Sequence, residues 1–236
     1  MKFNPYILIA RAFPAILSMI PFFVLYYFFL NPLAGDFLGE LLALKITSAI
    51  TLPLALFFLM MQLNRLISKG IFEKRIYKNG LTFPTTDFLL HLNSNFSSEY
   101  TKKIHNRIRA DFGINIPNNI AESKNENLSR KYINEAVSHI RSKVGKGTLL
   151  GQHNAEYGFV RNFSGGNVVS AIISALNIII FTVFYPNNIA LTISCITLFL
   201  CLVFIVFARK MIRSVGRSYA KVLIQEYMAT QPTLRS

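Results

Sequence analysis

The sequence predicts an all-α membrane protein, with four transmembrane helices arranged as two hairpins flanking a helical cytoplasmic domain. Three observations predict it. The first is composition: 52% of the 236 residues are hydrophobic, only 15% are charged, and the mean hydropathy is +0.39. A soluble domain carries about 25% charged residues, so an ordinary globule is excluded, and disorder and collagen with it. The second is that the apolar residues fall into four charge-free runs, at 12–30, 46–63, 168–185 and 189–208. Each approaches the roughly 20 residues with which a helix crosses about 30 Å of hydrocarbon. The third is the uneven placement of Lys and Arg. No ten-residue alternating pattern appears, which excludes a closed barrel.

The first run follows Lys2 and Arg11. It is too long for a cleaved signal peptide and no small-residue cleavage site follows it, so it is expected to remain as a span. Pro14 and Pro21 interrupt its backbone bonding, and Pro53 does the same in the second run, freeing carbonyls that neighbours or water must satisfy. Asp36 and Glu40 lie one helical turn apart before the second run, and Thr47, Ser48 and Thr51 fall near one of its faces. Two readings stand. One is a kinked bundle with a solvated loop. The other is a cation path with an acidic outer mouth at Asp36 and Glu40, which forms a strong ring only about an oligomer axis. Four spans do not easily enclose water alone, so the second reading implies a homo-oligomer, with a tetramer as the first expectation. The third and fourth runs are separated only by 186–188. Cys195 and Cys201 lie inside the fourth and are expected to be small buried residues, not a disulfide or a metal site.

Orientation follows from the basic residues. The N-terminal flank has two, the connections 31–45 and 186–188 have one and none, the segment 64–167 has 16, and the tail 209–236 has six. Positive charge stays inside, so both termini and 64–167 are expected in the cytoplasm. The domains are then 1–63, a membrane hairpin; 64–167, a basic helical domain; 168–208, a second hairpin; and 209–236, an amphipathic tail.

The segment 64–167 carries 16 basic and 8 acidic residues. Helices are expected at 86–93, entered through Pro84 with Thr85 or Thr86 as cap, at 97–112, and at 128–144. In the second, Tyr100, Ile104, Ile108 and Phe112 share a face opposite Lys102, Lys103 and Arg109, and Gly113 ends it. In the third, Leu128, Tyr132, Ala136, Ile140 and Val144 are expected to be buried, with Arg130, Asn134 and Arg141 within about 40° of each other on the far side. The polar stretch 118–127 is expected to be a loop. In the tail, Arg213, Arg217 and Lys221 oppose Met211, Ile212, Val215, Tyr219 and Val222, so the fourth helix is expected to run past the membrane. Its basic side either rests on anionic lipid or joins 64–167 in binding a polyanion.

No catalytic centre is legible, and no cofactor is implied. His91, His105, His139 and His153 lack the spacing of a zinc helix, and 145–148 only echoes a phosphate loop. The expectation is a protein that is not an enzyme.

Two patterns carry a resemblance. One is Pro84-Thr85-Thr86-Asp87-Phe88-Leu89-Leu90 with Lys103, His105 and Gly113-Ile114-Asn115-Ile116-Pro117. The other is Asn154-Ala155-Glu156-Tyr157-Gly158-Phe159-Val160-Arg161-Asn162. With Tyr132 and Arg141 between them, they resemble a bacterial family of mostly uncharacterised four-span membrane proteins. In size, topology and basic insert the chain also looks like the transmembrane effectors of the Hailong antiphage system. That resemblance implies an ion channel held shut by a single-stranded DNA oligomer from a partner nucleotidyltransferase, and opened when phage attack removes the oligomer. Lys102, Lys103, Arg109, Arg130 and Arg141 are the candidates to neutralise phosphates, with Tyr100 or Tyr132 as stacking platforms or core residues. Asn154, Tyr157, Gly158, Phe159 and Arg161 read as an elbow beside the third span, structural or gating. The alternative function is a non-conducting adaptor that recruits a protein or nucleic acid through its basic domain.

In a background without native cysteines, cysteines placed at Gly35 and Asn187 are expected to react with an impermeant reagent from outside, and one at Asn125 only from inside. Labelling at Asn125 with protection at both other sites would reverse the orientation.

Overall fold

The computed structural model describes residues 5–34, 45–91, 95–145 and 147–231. It is 87% helical, with no strand among the described residues. Four helical segments are long and apolar enough to cross a membrane: Pro5–Leu30 (α1), Pro53–Ile76, Leu149–Phe184 and Asn188–Ala229. The chain divides into two compact units, one of residues 1–72 and 158–211, the other of 73–157 and 212–236.

The first unit contains α1, α2 (Lys45–Ile67), and parts of two long helices that appear below as α7 and α8. Proline shapes α1. A π turn at Leu8–Ala12 precedes Pro14, and the helix is interrupted at Met19, just before Pro21. The unit is apolar outside and polar inside. Phe184 is 72% and Val206 74% exposed, and Phe23, Phe58 and Phe199 are exposed too, while Ser18, Asn64, Asn162, Ser170, Ser174 and Asn177 are buried. Water would reverse that order; lipid, which is as apolar as the side chains facing it, permits it. Apolar packing joins α1 to α2 through Ala15, Met19, Met60 and Met61, and Val24, Phe181 and Ala190 form a second cluster. Cys201 is buried as expected, but Cys195 is exposed, because its helix turns that face outward; neither is in a disulfide.

The second unit holds α3 (Pro84–Asp87), α4 (Ser98–Phe112), α5 (Asn119–Lys124), α6 (Glu126–Val144), the start of α7 (Thr148–Ile179) and the end of α8 (Asn188–Ala229). The 42-residue α8 runs past its apolar stretch, as its periodicity predicted. Its Ala220, Leu223, Ile224 and Tyr227 close a core with Ile104, Ile108, Ile133, Ala136, Val137 and Ile140, while Arg213, Arg217 and Lys221 stay exposed.

Side-chain caps set several boundaries. Ser97 Oγ accepts from the Tyr100 amide (3.2 Å) and opens α4, and Gly113, at φ 72°, closes it. Asn118 Oδ1 accepts from Ala121 N and Asn125 Oδ1 from Leu128 N. Those two caps turn the expected loop 118–127 into the helix α5 and the first turn of α6. The expected helix 86–93 is instead the short α3, with turns after it. Its backbone groups find tertiary partners: Leu89 O takes His105 Nε2 (2.7 Å), and the His91 amide donates to Glu122 Oε2 (3.0 Å). The buried stripe of α6 also differs. Ser129, Ile133, Ala136, Val137 and Ile140 are buried, while Leu128 and Tyr132 are exposed. Four-residue steps drift by about 40° each, so a stripe drawn with them leaves the true face within a few turns.

A buried carboxylate ties the second unit together. Asp111 Oδ2, on a side chain 1% exposed, accepts from Lys143 Nζ (2.7 Å), Tyr227 OH (2.9 Å) and Arg107 Nε (3.2 Å). Arg107 also donates to Met228 O (3.2 Å) and Thr230 O (2.5 Å), satisfying carbonyls at the end of α8. Asp111→Ala would take the shared acceptor from the partly buried Arg107 and Lys143, and is expected to destabilise this unit by about 2–3 kcal/mol. A thermal melt of the detergent-solubilised protein checks this, with Lys124→Ala, at an exposed position, as the neutral control.

Candidate functional site: a buried polar seam

In the first unit, α7 presents uncharged polar residues to α1. Pro14 has no N–H to give the carbonyl four residues before it, that of Ala10, and Asn162 Nδ2 donates to that oxygen at 2.6 Å. Ser170 Oγ donates to Ser18 O (2.9 Å), and Asn177 Nδ2 to Pro21 O (2.8 Å). From α2, Asn64 Nδ2 donates to Ser18 Oγ (2.8 Å), which itself donates to Pro14 O. The carbonyls around the two prolines are thus met by neighbouring helices.

Glycine allows the approach. A Cβ at Gly165 would strike the backbone oxygen of Asn64, and one at Gly166 the hydroxyl of Ser18. Asn162, Ser170 and Asn177 lie within about 80° around α7, and from Asn162 to Asn177 the helix rises about 22 Å, out of the roughly 30 Å of a hydrocarbon core. Among the described residues of this unit, five buried oxygens have no hydrogen-bond partner: Oδ1 of Asn64, Asn162 and Asn177, and Oγ of Ser68 and Ser174. The seam is a feature that the sequence reading missed, although Ser and Asn recurring at 170, 174 and 177 in an apolar run, with Asn162 just before it, were its signal.

The expected site residues distribute as follows. Arg130 is not a free cation. Its side chain is 11% exposed and binds Asp87 (2.6 Å), Glu126 (2.7 Å) and Leu81 O (3.1 Å). Asn134 likewise donates to Gly80 O and meets Thr86 Oγ1. This corrects the expected line of donors free of acid: the acid comes from α3 and from the preceding turn. Lys102 and Arg109 are exposed along one line of α4, and neither is in an ion pair among the described residues, whereas Lys103 meets Glu99 at 3.3 Å. Arg141 is exposed and lies over the Tyr219 ring at 5.9 Å. Tyr132 is exposed; Tyr100 is half-buried against Phe96.

Asn154, Tyr157, Gly158, Phe159 and Arg161 all lie within the helix α7. Gly158 serves close packing, because a Cβ there would lie 2.7 Å from Ala10 Cβ and 3.1 Å from Tyr6 OH. Phe159 stacks on Phe163, and Tyr157 on Tyr219. At 145–148 a carboxylate holds the start of α7, with Leu150 N donating to Glu226 Oε1 (3.0 Å) and Gly147 against Oε2. Asp36 and Glu40 lie outside the described residues, as do the side chains of Thr47, Ser48 and Thr51.

Four membrane-length apolar helices, with carbonyls of α1 met by side chains of α7, define a polytopic α-helical membrane protein. No protein family, curated protein or solved structure matches the chain.

His105 gives the second unit an acid-sensitive point. Its Nε2 donates to Leu89 O, its ring meets His91 edge-on at 4.5 Å, and Glu122 is nearby. Burial pushes its pKa down from 6.5 to about 4. The folded state therefore binds fewer protons than the unfolded one between those values. Stability should be full above about pH 6.5 and fall by up to about 2–3 kcal/mol toward pH 4. Melting temperature against pH should show this slope, and His105→Gln should flatten it.

Proposed function

We propose that the chain is an ion channel of a bacterial inner membrane, which works as a homo-oligomer and takes an anionic ligand on its basic helical unit. The observation that carries the reading is the seam of buried acceptor oxygens, extending over most of a membrane's thickness along α7. Polar side chains inside apolar bundles are costly and mark ion or substrate pathways by default. The exposed Lys102, Arg109 and Arg141, with Arg213, Arg217 and Lys221 on α8, support the ligand: their cations are free to neutralise phosphates. The positive-inside rule puts that unit in the cytoplasm. The resemblance to Hailong effectors supplies a role, in which a single-stranded DNA oligomer keeps the channel closed until phage attack.

Purified protein in a planar bilayer should give step-like currents that short single-stranded DNA suppresses. Absence of current under every condition would reject the channel and leave a non-conducting adaptor. Ligand affinity should fall steeply with salt, and Lys102→Gln with Arg109→Gln and Arg141→Gln should weaken it while the melting temperature is kept. Lys103→Gln should matter less, since Lys103 already has Glu99 beside it. Filter binding at low and physiological salt reads both.

A further inference from the structure

We infer that the outward face of α2 is the surface through which copies of this chain associate, with Gln62 bonding its counterpart in the neighbouring copy. The inference rests on the homo-oligomer of the channel reading and names the contact that builds it.

Gln62 is a polar side chain at membrane depth that faces away from its own bundle. Its neighbours fix the depth: Met60 and Met61 pack against Ala15 and Met19, and Asn64 binds Ser18, midway along α1. Gln62 nevertheless lies on the outside, among the exposed Phe58, Leu59 and Leu66. Outward hydroxyls elsewhere in the unit satisfy themselves. Thr182 and Thr192 donate to the carbonyls four residues before them, those of Ile178 (2.6 Å) and Asn188 (2.8 Å). The Gln62 amide makes no hydrogen bond among the described residues. Hydrocarbon offers it neither donor nor acceptor, so its bond has to come from another helix.

The pattern around Gln62 identifies that helix. Ala55, Leu59, Gln62 and Leu66 follow one another at steps of four, three and four residues, all exposed and within about 60° around α2. Such spacing is the heptad seam of two helices packed at about 20°, with one polar position that sets the register. Copies of one chain enter the membrane in one orientation, so their α2 helices run parallel, and a residue near the symmetry axis meets its own counterpart. An amide suits that meeting because it carries both N–H donors and a carbonyl acceptor, and two copies satisfy each other. A lone cation or carboxylate at the same place would face its like.

The test uses the full chain in native membranes, with Cys195→Ala and Cys201→Ala as background. Under a copper–phenanthroline oxidant, Ala55→Cys, Leu59→Cys, Gln62→Cys and Leu66→Cys should each give a disulfide dimer. Ile172→Cys on α7 and Phe199→Cys on α8, at other exposed apolar positions, should not. Gln62→Leu keeps the bulk and removes the amide. Its melting temperature in detergent should match the wild type, while the dissociation constant for self-association in vesicles, read by energy transfer between labelled copies, should rise about 3- to 30-fold. Gln62→Asn, which keeps an amide, should recover part of that loss. Equal cross-linking at Ile172 and Phe199, no dimer from the α2 positions, α2 adducts only with a protein of another mass, or self-association unmoved by Gln62→Leu would overturn the inference. Should Gln62→Leu fail to fold, the cross-linking pattern decides. Dimers through α2 in a protein that passes no current leave the interface standing and reject the channel, and currents from copies joined elsewhere do the reverse.

Discussion

A proline in a membrane helix leaves a carbonyl without its partner, and hydrocarbon offers nothing to replace it. Much of the first unit can be understood from that single constraint. Pro14 and Pro21 sit in α1; Asn162, Ser170 and Asn177 of α7 meet carbonyls around them, and Asn64 of α2 meets the hydroxyl of Ser18. To deliver them, α7 must come very close to α1 and α2, which is why Gly158, Gly165 and Gly166 are glycines. The hydrogen bonds also act as position markers. Apolar contacts alone let helices slide in lipid, whereas a bond to one particular carbonyl fixes both depth and rotation. The oxygens left over on the same asparagines are a consequence of the same arrangement, because an amide that gives its nitrogen to a carbonyl must point its oxygen elsewhere.

The second unit obeys the opposite rule. It carries most of the ionised groups, and several of the buried ones act as ties. Asp111 joins α4, α6 and α8, while Arg130 holds α3 and residue 81 against α6. The basic charge of this segment is therefore of two kinds. Arg107, Arg130 and Lys143 are consumed inside the unit, and Lys102, Arg109 and Arg141 face solvent.

This division explains what was legible in the sequence and what was not. The membrane-length helices were legible because composition alone signals them. The ends of α4 were legible because Ser97 and Gly113 are local signals with local causes. The continuation of α8 was legible from the spacing of Arg213, Arg217 and Lys221. Three features were hidden. The fate of Arg130 depends on Asp87, 43 residues away, and no helix-wheel argument reaches that far. The helix α5 was mistaken for a loop because Asn118 and Asn125 signal loops by composition and caps by position. The seam was half visible: the prolines announced that carbonyls would need partners, but which Asn or Ser would come depends on how α7 lies against α1. At Gly158 the close packing was hidden in the same way, since a glycine that permits a bend and one that permits contact look alike in a sequence.

The second unit is discontinuous in the chain: residues 73–157 are made first, and the strip that seals their core, Ala220 to Tyr227, is made well after them. Between them lie the second pair of membrane helices. During synthesis, Ile104, Ile108, Ile133 and Ile140 therefore wait with an open flank until those two helices have been made and the turns from Ala220 to Tyr227 have left the ribosome. Arg107 cannot grip the carbonyls of Met228 and Thr230 until then. Completion of this unit is in effect a report that membrane insertion has finished, and a chain stalled in insertion would present its unsealed hydrophobic flank to the chaperones and proteases of the cell.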